Sequence, residues 1–203
     1  MKKMPRTRLG VPVRTAADWE EAALDVIAAR GIAALSIPEL ARTLEVTKGS
    51  FYWHFSRLDD LIAAAVERWE TLDKATLDQI RRIKDPVVRL RTLFAEAMSA
   101  QRAQSLYISL TVSPSPGISD ALRRVSARRL KILAGSYREI GMTDDAAQQQ
   151  SLLAYCAYIG GVHLRSTDAP WLRHADDVDA YVEHAALVLI KPAVTDGSRG
   201  RAR

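Results

Sequence analysis

The chain has 203 residues, of which 48% are hydrophobic and 26% charged, and its formal net charge is +5. A chain of this length can bury a sizeable core as one domain or as two small ones, and its positive charge suits a polyanionic partner. The single cysteine, Cys156, excludes an internal disulfide and suits a reducing cytoplasm. No apolar run is long enough to span a membrane, and no apolar segment follows Met1 to Lys3. We therefore expect a cytoplasmic protein with neither a membrane span nor a signal peptide.

The chain begins with a basic arm and then reads as helices. The arm holds Lys2, Lys3, Arg6, Arg8 and Arg14 without an acidic residue, which fits contacts along DNA or a solvated tail. Apolar spacing and end signals then predict nine helices and therefore an all-α fold. Their ranges are 15–30, 36–44, 47–55, 56–84, 86–104, 105–112, 119–140, 144–165 and 177–190, with a loop at 113–117. The Gly/Arg-rich end from 195 to 203 is expected to be disordered.

The second and third predicted helices have the form of a helix-turn-helix. Ser36 and Glu39 have the spacing of a capping box at the start of the second helix. Thr47 can cap the third helix, and Val46 and Phe51 have the spacing of a hydrophobic staple across that cap. The two helices are thus expected to meet at a defined angle.

A helical wheel assigns faces to the third helix. At about 100° per residue, Phe51 and Phe55 point inward, while Gly49 and Trp53 face outward. A ridge of this kind can enter the DNA major groove, and the missing side chain of Gly49 would let the backbone come close.

Polar and aromatic groups flank that ridge. Tyr52 and His54 would reach phosphates on either strand, with Lys48 and Thr47 at the leading end of the helix. Each residue also has a structural alternative: Tyr52 can cap the core, Trp53 can pack on a neighbouring helix, and His54 can bond to a carbonyl. The whole set on one helix-turn-helix favours DNA contact.

The segment from 15 to 69 resembles the DNA-binding domain of the TetR family of bacterial transcriptional regulators. The resemblance rests on Leu35, Ser36, Leu40, Ala41, Leu44, Val46, Thr47, Lys48, Gly49, Ser50, Tyr52, Trp53, His54, Phe55 and Leu61. It implies a DNA-contacting set of Ser36, Thr47, Lys48, Gly49, Ser50, Tyr52, Trp53, His54 and Arg57.

Three positions depart from the family pattern. Glu45 stands in the turn where Gly is usual, and a left-handed backbone there costs about 1 kcal/mol for a non-glycine residue. Pro38 replaces a residue that contacts bases in some members. Arg57 stands where Lys is frequent and would serve as the phosphate contact instead.

The resemblance also implies a domain plan. Residues 1–55 would form the arm and the DNA-binding domain, 56–192 a helical ligand-sensing and dimerisation domain, and 193–203 a disordered basic tail. A small-molecule pocket is implied, and its aromatic and apolar lining would favour a largely apolar effector with some hydrogen-bonding capacity. The candidate lining residues, each of which can equally be ordinary core, are Trp69, Phe94, Met98, Gln101, Tyr107, Leu110, Tyr137, Tyr155 and His163.

The eighth and ninth predicted helices are apolar around more than one face, so each needs a second partner. The resemblance implies a homodimer through these two helices, and burial within one subunit is the alternative. A dimer is favoured because a lone helix-turn-helix reads few base pairs and two-fold symmetry doubles the site.

The expected function is that of a transcriptional repressor that binds an inverted-repeat operator as a dimer and is released by a small molecule. Two other functions compete with it. An all-helical enzyme is disfavoured because the four histidines lack a paired metal spacing and no Gly-rich phosphate loop is present. No catalytic residue, metal or cofactor is therefore expected. A nonspecific architectural DNA-binding protein is the other alternative, and a preference for one inverted-repeat sequence would distinguish the two.

Overall fold

The structure is a computed structural model that describes residues 14–167, 172 and 174–190. Over these residues the chain forms nine α-helices, a short 3₁₀ turn at Ile32–Ala34 and no strand, so the all-α prediction is confirmed. The helices are α1 Ala16–Arg30, α2 Ile37–Thr43, α3 Lys48–Phe51, α4 Leu58–Arg81, α5 Pro86–Ser99, α6 Gln101–Thr111, α7 Pro116–Glu139, α8 Asp144–Ser166 and α9 Ala175–Leu189. The basic arm up to residue 13 and the predicted tail lie outside the described residues.

The chain divides into two compact units. The first comprises the chain up to Asp73 together with Ser105–Arg123, and the second comprises Lys74–Gln104 and the chain from Arg124 on. Helix α4 begins in the first unit and ends in the second.

The core of the first unit joins α1, α2, α3 and the first half of α4. Its fully buried side chains are Trp19, Ala23, Leu24, Ile27, Leu40, Phe51, Leu61 and Ala65. Helix α1 begins with a capping box, in which the Thr15 hydroxyl accepts from the Asp18 N–H and the Asp18 carboxylate accepts from the Thr15 N–H. The Thr15 N–H and hydroxyl both donate to the Asp18 carboxylate, and these bonds hold the pKa of Asp18 below its usual value.

The core of the second unit joins α5, α7, α8 and α9. Leu90, Phe94, Leu133, Tyr137, Ala147, Ala154, Ala186 and Leu189 form one buried cluster. Small residues let the helices approach closely. At Gly161 an added Cβ would lie 3.2 Å from Met98 Cε and 3.2 Å from the Tyr181 ring, so the absence of a side chain is part of this packing.

Helix α5 ends earlier than predicted, and α6 begins earlier. Ala100 leaves the helical conformation (ψ 67°), so the predicted helix 86–104 is broken and α6 begins at Gln101. The freed carbonyls are bonded by side chains: Gln104 donates to Ala97 O at 2.5 Å, and Arg165 of α8 donates to Met98 O. A break stabilised by contacts this distant in sequence has no local signal.

Helix α7 begins within the segment predicted as a loop, and that prediction is wrong for its second half. Pro116 takes the first helical position, which tolerates proline because its missing N–H needs no partner there. The Ser115 carbonyl accepts from Ser119 N–H at 2.8 Å, which closes the first helical turn.

Candidate nucleic-acid interface

The turn between α2 and α3 has a defined hydrogen-bond pattern. Val46 N–H donates to Ala41 O at 2.9 Å, and Glu45 N–H donates to Arg42 O at 3.2 Å. These are the two bonds of a Schellman motif, which places its penultimate residue in the left-handed region. Glu45 adopts φ 59°, so the left-handed backbone whose cost the sequence analysis considered is present here. The turn therefore forms with a glutamate at its left-handed position.

Only half of the predicted capping box at α2 forms. The Ser36 hydroxyl accepts from Glu39 N–H at 3.4 Å, but the Glu39 carboxylate pairs with Arg30 of α1. Ser36 is half-buried at the N-cap and holds the start of α2. The contact between Arg30 and Glu39 links α1 to α2, which local sequence spacing could not indicate.

Helix α3 is shorter than the predicted 47–55 and tightens at its end. Regular α-helix stops at Phe51, after which Trp53 N–H donates to Ser50 O at 3.3 Å and His54 N–H to Phe51 O at 2.9 Å. These are i to i−3 bonds, typical of a final 3₁₀ turn. Thr47 is the N-cap residue, but its hydroxyl makes no capping bond.

The aromatic residues of this segment divide as the wheel predicted. Phe51 is fully buried, with its ring centroid 5.4 Å from that of Trp19 and 5.6 Å from that of Phe55. Trp53 is 78% exposed and Tyr52 is 61% exposed, although the Tyr52 ring still rests edge-on against Phe51 at 5.3 Å. The Tyr52 hydroxyl is therefore presented outward on a ring whose base is supported by the core.

The backbone at Gly49 is open to the outside. Its φ is not left-handed, and an added Cβ would meet only Thr47 Oγ1, at an ordinary 3.7 Å. Glycine in a helix is less favourable than alanine by about 1 kcal/mol. Neither the backbone conformation nor the packing of the described residues requires glycine here.

His54 bonds to a backbone carbonyl just before the start of α1. Its Nε2 lies 2.9 Å from the Arg14 carbonyl, so Nε2 carries the proton and donates. Arg14 Nε in turn donates to Leu44 O, at the end of α2, at 3.0 Å. The structure thus places His54 in the carbonyl bond that the sequence left as an alternative. Arg14, assigned to the arm by sequence, therefore bonds to residues just beyond the ends of α2 and α3, 30 and 40 positions away in the chain.

The remaining predicted DNA-contacting residues are at the surface. Lys48 and Thr47 are exposed at the start of α3, and Ser50 is half-buried. Arg57 is exposed just before α4. Its N–H donates to Asp60 Oδ2 at 3.0 Å, and its guanidinium lies 3.7 Å from the other carboxylate oxygen of Asp60.

The candidate ligand-contacting residues are distributed over both units. In the first unit Trp69, Tyr107 and Leu110 are buried. In the second unit Phe94, Met98 and Tyr137 are buried, Tyr155 is half-buried, and Gln101 and His163 are exposed.

Two tyrosines of the second unit have contrasting environments. The Tyr155 hydroxyl lies 2.9 Å from Ser126 Oγ. The Tyr137 hydroxyl is buried and makes no hydrogen bond within the described part of the chain. Burial raises the pKa of Tyr137, and the nearby amide of Gln150 offsets this only in part.

The described ranges hold neither a metal-binding cluster nor a membrane-spanning helix. No group of three His, Cys, Asp or Glu side chains there is placed to hold a metal ion. No helix there is both long and apolar enough to cross a membrane.

An all-α chain with a helix-turn-helix and an exposed, aromatic second helix has the architecture of a DNA-binding protein of the helix-turn-helix class. Residues 21–65 match the family model of the bacterial regulatory proteins of the tetR family. This match and the fold together support the TetR family, whose members are DNA-binding transcription regulators.

Solved structures share the fold over most of the chain. A transcriptional regulator from Rhodococcus sp. Rha1 has a TM-score of 0.71 and 21% identity, covering 87% of this chain and 96% of that one. A regulator from Saccharomonospora viridis in complex with choline has a TM-score of 0.73 and 19% identity, covering 84% and 92%. FadR from Bacillus subtilis in complex with stearoyl-CoA has a TM-score of 0.66 and 15% identity, covering 88% and 100%.

Proposed function

We propose that this protein is a transcriptional repressor that binds an inverted-repeat operator as a homodimer and is released by a small molecule. The observation that carries the DNA-binding half is the surface of α3 and of the turn that follows it. Gly49, Tyr52 and Trp53 are exposed there, although nothing in the packing of the described residues requires it. Large exposed aromatics next to a glycine favour contact with a partner.

The proposed contacts follow from the placement of each side chain. Trp53 and the Gly49 backbone face base edges, and the Tyr52 hydroxyl and Lys48 bind phosphates. His54 acts chiefly through its bond to Arg14 O, which keeps the end of α3 against the start of α1. Ser36, Thr47, Ser50 and Arg57 complete the proposed interface.

The proposed domain division is that of the sequence analysis: 1–55 for DNA binding, 56–192 for ligand sensing and dimerisation, and 193–203 as a tail. Apolar side chains support the dimer, because α8 and α9 carry large residues that a single subunit leaves exposed. These are Leu152, Leu153, Leu164, Leu187 and Val188. Exposed apolar groups on two packed helices favour a helical interface with a second copy.

The effector is proposed to bind within the second domain and to shift the population between two states. Neighbouring structures contain choline and stearoyl-CoA, so this fold accepts chemically different small molecules. An effector that moves α4 would alter the separation of the two α3 helices, which must be about 34–36 Å apart to enter successive major grooves. A coupling of about 1–3 kcal/mol is typical of such control.

Selection of bound sequences from a random duplex pool with the full chain tests this proposal. We expect an inverted repeat whose half-site centres are about one helical turn apart or a multiple of it. Equal binding of all sequences would instead indicate an architectural protein. Affinity should fall steeply with salt, through release of counterions from contacted phosphates.

Removing the Tyr52 hydroxyl tests its proposed contact with a DNA phosphate. Tyr52→Phe keeps the ring on Phe51 and removes only the outward hydroxyl, so operator affinity should drop about tenfold or more, the effect of losing one hydrogen bond to a charged group. Tyr181→Phe is the matched control, because its hydroxyl donates to Ala157 O within the second unit. An unchanged Kd for Tyr52→Phe in a fluorescence anisotropy titration would contradict the contact.

A further inference from the structure

Helix α4 is attached to α1 by an arginine that contacts two carboxylates. Arg68 Nε donates to Glu21 Oε2 at 2.9 Å, and Arg68 Nη1 lies 3.8 Å from Glu20 Oε2. All three side chains are only partly exposed, at 34%, 39% and 19%. They belong to the first unit, on the half of α4 that packs with the helix-turn-helix.

The contact differs in kind from the apolar packing beside it. Leu61, Ala65 and Trp69 of α4 are buried in the same unit, but apolar burial is non-directional and allows a helix to roll or slide. Hydrogen bonds between charged groups have a preferred geometry. Glu20 and Glu21 are also neighbours in α1 and project about 100° apart around its axis. One guanidinium between them therefore responds to rotation of α1 as well as to its distance.

The rest of the DNA-binding bundle follows α1. Trp19 packs on Phe51 of α3, and Arg14 joins the start of α1 to the end of α2. A rotation of α1 on α4 therefore carries α3 with it.

We propose that Arg68 is a positioning residue that sets the orientation of the DNA-binding helices on α4 and thereby the half-site spacing that the dimer accepts. This inference rests on the proposed function, since spacing has meaning only for two half-sites bound by two copies. Arg68 touches no DNA in this proposal. It acts by fixing the direction in which α3 is presented.

The spacing of two half-sites on DNA tests the direction in which the two α3 helices are presented. Inserting one base pair between half-sites moves one of them by about 3.4 Å and turns it by about 34°, since a helical turn has roughly 10.5 base pairs. Two α3 helices in a fixed orientation cannot both bind after this displacement. They can do so if the contact of Arg68 with Glu20 and Glu21 is lost and α1 can rotate on α4.

The test measures Kd for the selected operator and for versions with one base pair added or removed between the half-sites. For the parent, each altered spacing should weaken binding about tenfold or more, the range of one mismatched base pair. Arg68→Gln should lose less than about threefold at altered spacing, relative to its own best operator. Lys74→Gln is the matched control: it removes the same charge from the same helix, but the partner of Lys74 is Asp78 of α4 itself, at 2.5 Å.

Glu21→Gln provides a second variant if Arg68→Gln does not fold. It removes a negative charge, so overall DNA affinity should change in the opposite direction, yet the tolerance of altered spacing should still increase. If altered spacing weakens binding equally in the parent and in both folded variants, this inference is wrong while the proposed function still stands. A parent that selects no paired half-sites would overturn the proposed function itself.

Discussion

At the scale of single residues, Gly49 is a position where the fold does not require glycine but the proposed DNA contact does. Its backbone is helical, and the space where a Cβ would stand is open apart from Thr47 Oγ1 at 3.7 Å. By its own stability the protein would be better with alanine, because glycine loses more backbone freedom on folding. A residue that costs stability at an exposed position is expected where a partner comes close to the backbone.

Gly49→Ala is therefore expected to change stability and DNA affinity in opposite directions. The free energy of unfolding should rise by up to about 1 kcal/mol, and operator affinity should fall because the methyl group occupies the space proposed for DNA. Urea denaturation and a DNA titration measure the two effects.

Gly135→Ala is the control for this pair of measurements. Gly135 lies inside α7 with no atom within 4 Å of an added Cβ, so it should show the stability gain with no change in DNA binding. A Gly49→Ala variant that is stabilised and binds DNA like the parent would show that DNA does not approach this backbone.

At the scale of elements, Arg89 joins three parts of the second unit. It donates to Ile83 O at 2.9 Å and to Lys84 O at 3.1 Å, in the turn between α4 and α5. Its other nitrogen bonds reach Glu139 of α7, at 2.8 and 2.9 Å, and Ser136 Oγ at 3.3 Å. One buried guanidinium thus satisfies carbonyls beyond the end of α4 and fastens them to α7.

Removing this guanidinium should cost far more than removing its acidic partner. Arg89→Met removes the donor of the Ile83 and Lys84 carbonyls and of the buried Ser136 hydroxyl, and it should destabilise the protein by about 2–3 kcal/mol. Glu139→Gln should cost about 1 kcal/mol or less, because the Glu139 side chain is 50% exposed and can be solvated instead. Chemical denaturation of both variants checks the order, with Arg123→Gln, at an exposed pair, expected to be near neutral.

The same pair has a defined pH dependence. The bonds from Arg89 hold the pKa of Glu139 below its usual value. A carboxylate with a lowered folded pKa contributes stability in full above its ordinary pKa of about 4.3, and the contribution is lost as the pH falls through the lowered value. The difference in stability between the parent and Glu139→Gln should therefore shrink in acid. A constant difference down to strong acid would contradict an ionic role.

At the scale of the whole molecule, the apolar surface of α8 and α9 matters most. Leu153, Cys156, Gly160 and Leu164 are all exposed and follow the three- and four-residue spacing of one face of α8. Leu187, on α9, is 61% exposed. Such a surface costs solubility unless a second copy covers it.

Charge placed on this surface should separate the subunits. Leu153→Glu and Leu187→Glu together should convert a dimer into a 22.5 kDa monomer and abolish tight binding to the inverted repeat. Sedimentation analysis gives the mass, and Val112→Glu, which places the same charge at an exposed apolar position beyond the end of α6, should leave it unchanged. A dimer that persists in the double variant would rule out this face as the interface.

Prediction from sequence succeeded where the cause is local. The all-α class follows from apolar spacing, and the inward direction of Phe51 and Phe55 follows from their four-residue interval. It was wrong where distant groups decide, as at Ala100, where side chains from α6 and α8 stabilise the break between two helices.

The candidate interface shows the same division. The sequence by itself determined which residues α3 presents, because helical geometry converts spacing into faces. Only the tertiary structure decided that His54 bonds to Arg14, that Arg14 reaches Leu44, and that Arg68 lies between Glu20 and Glu21. These contacts join residues that lie 30 to 48 positions apart. Such distances are set by the packing of whole helices, which leaves no periodic signal along the chain.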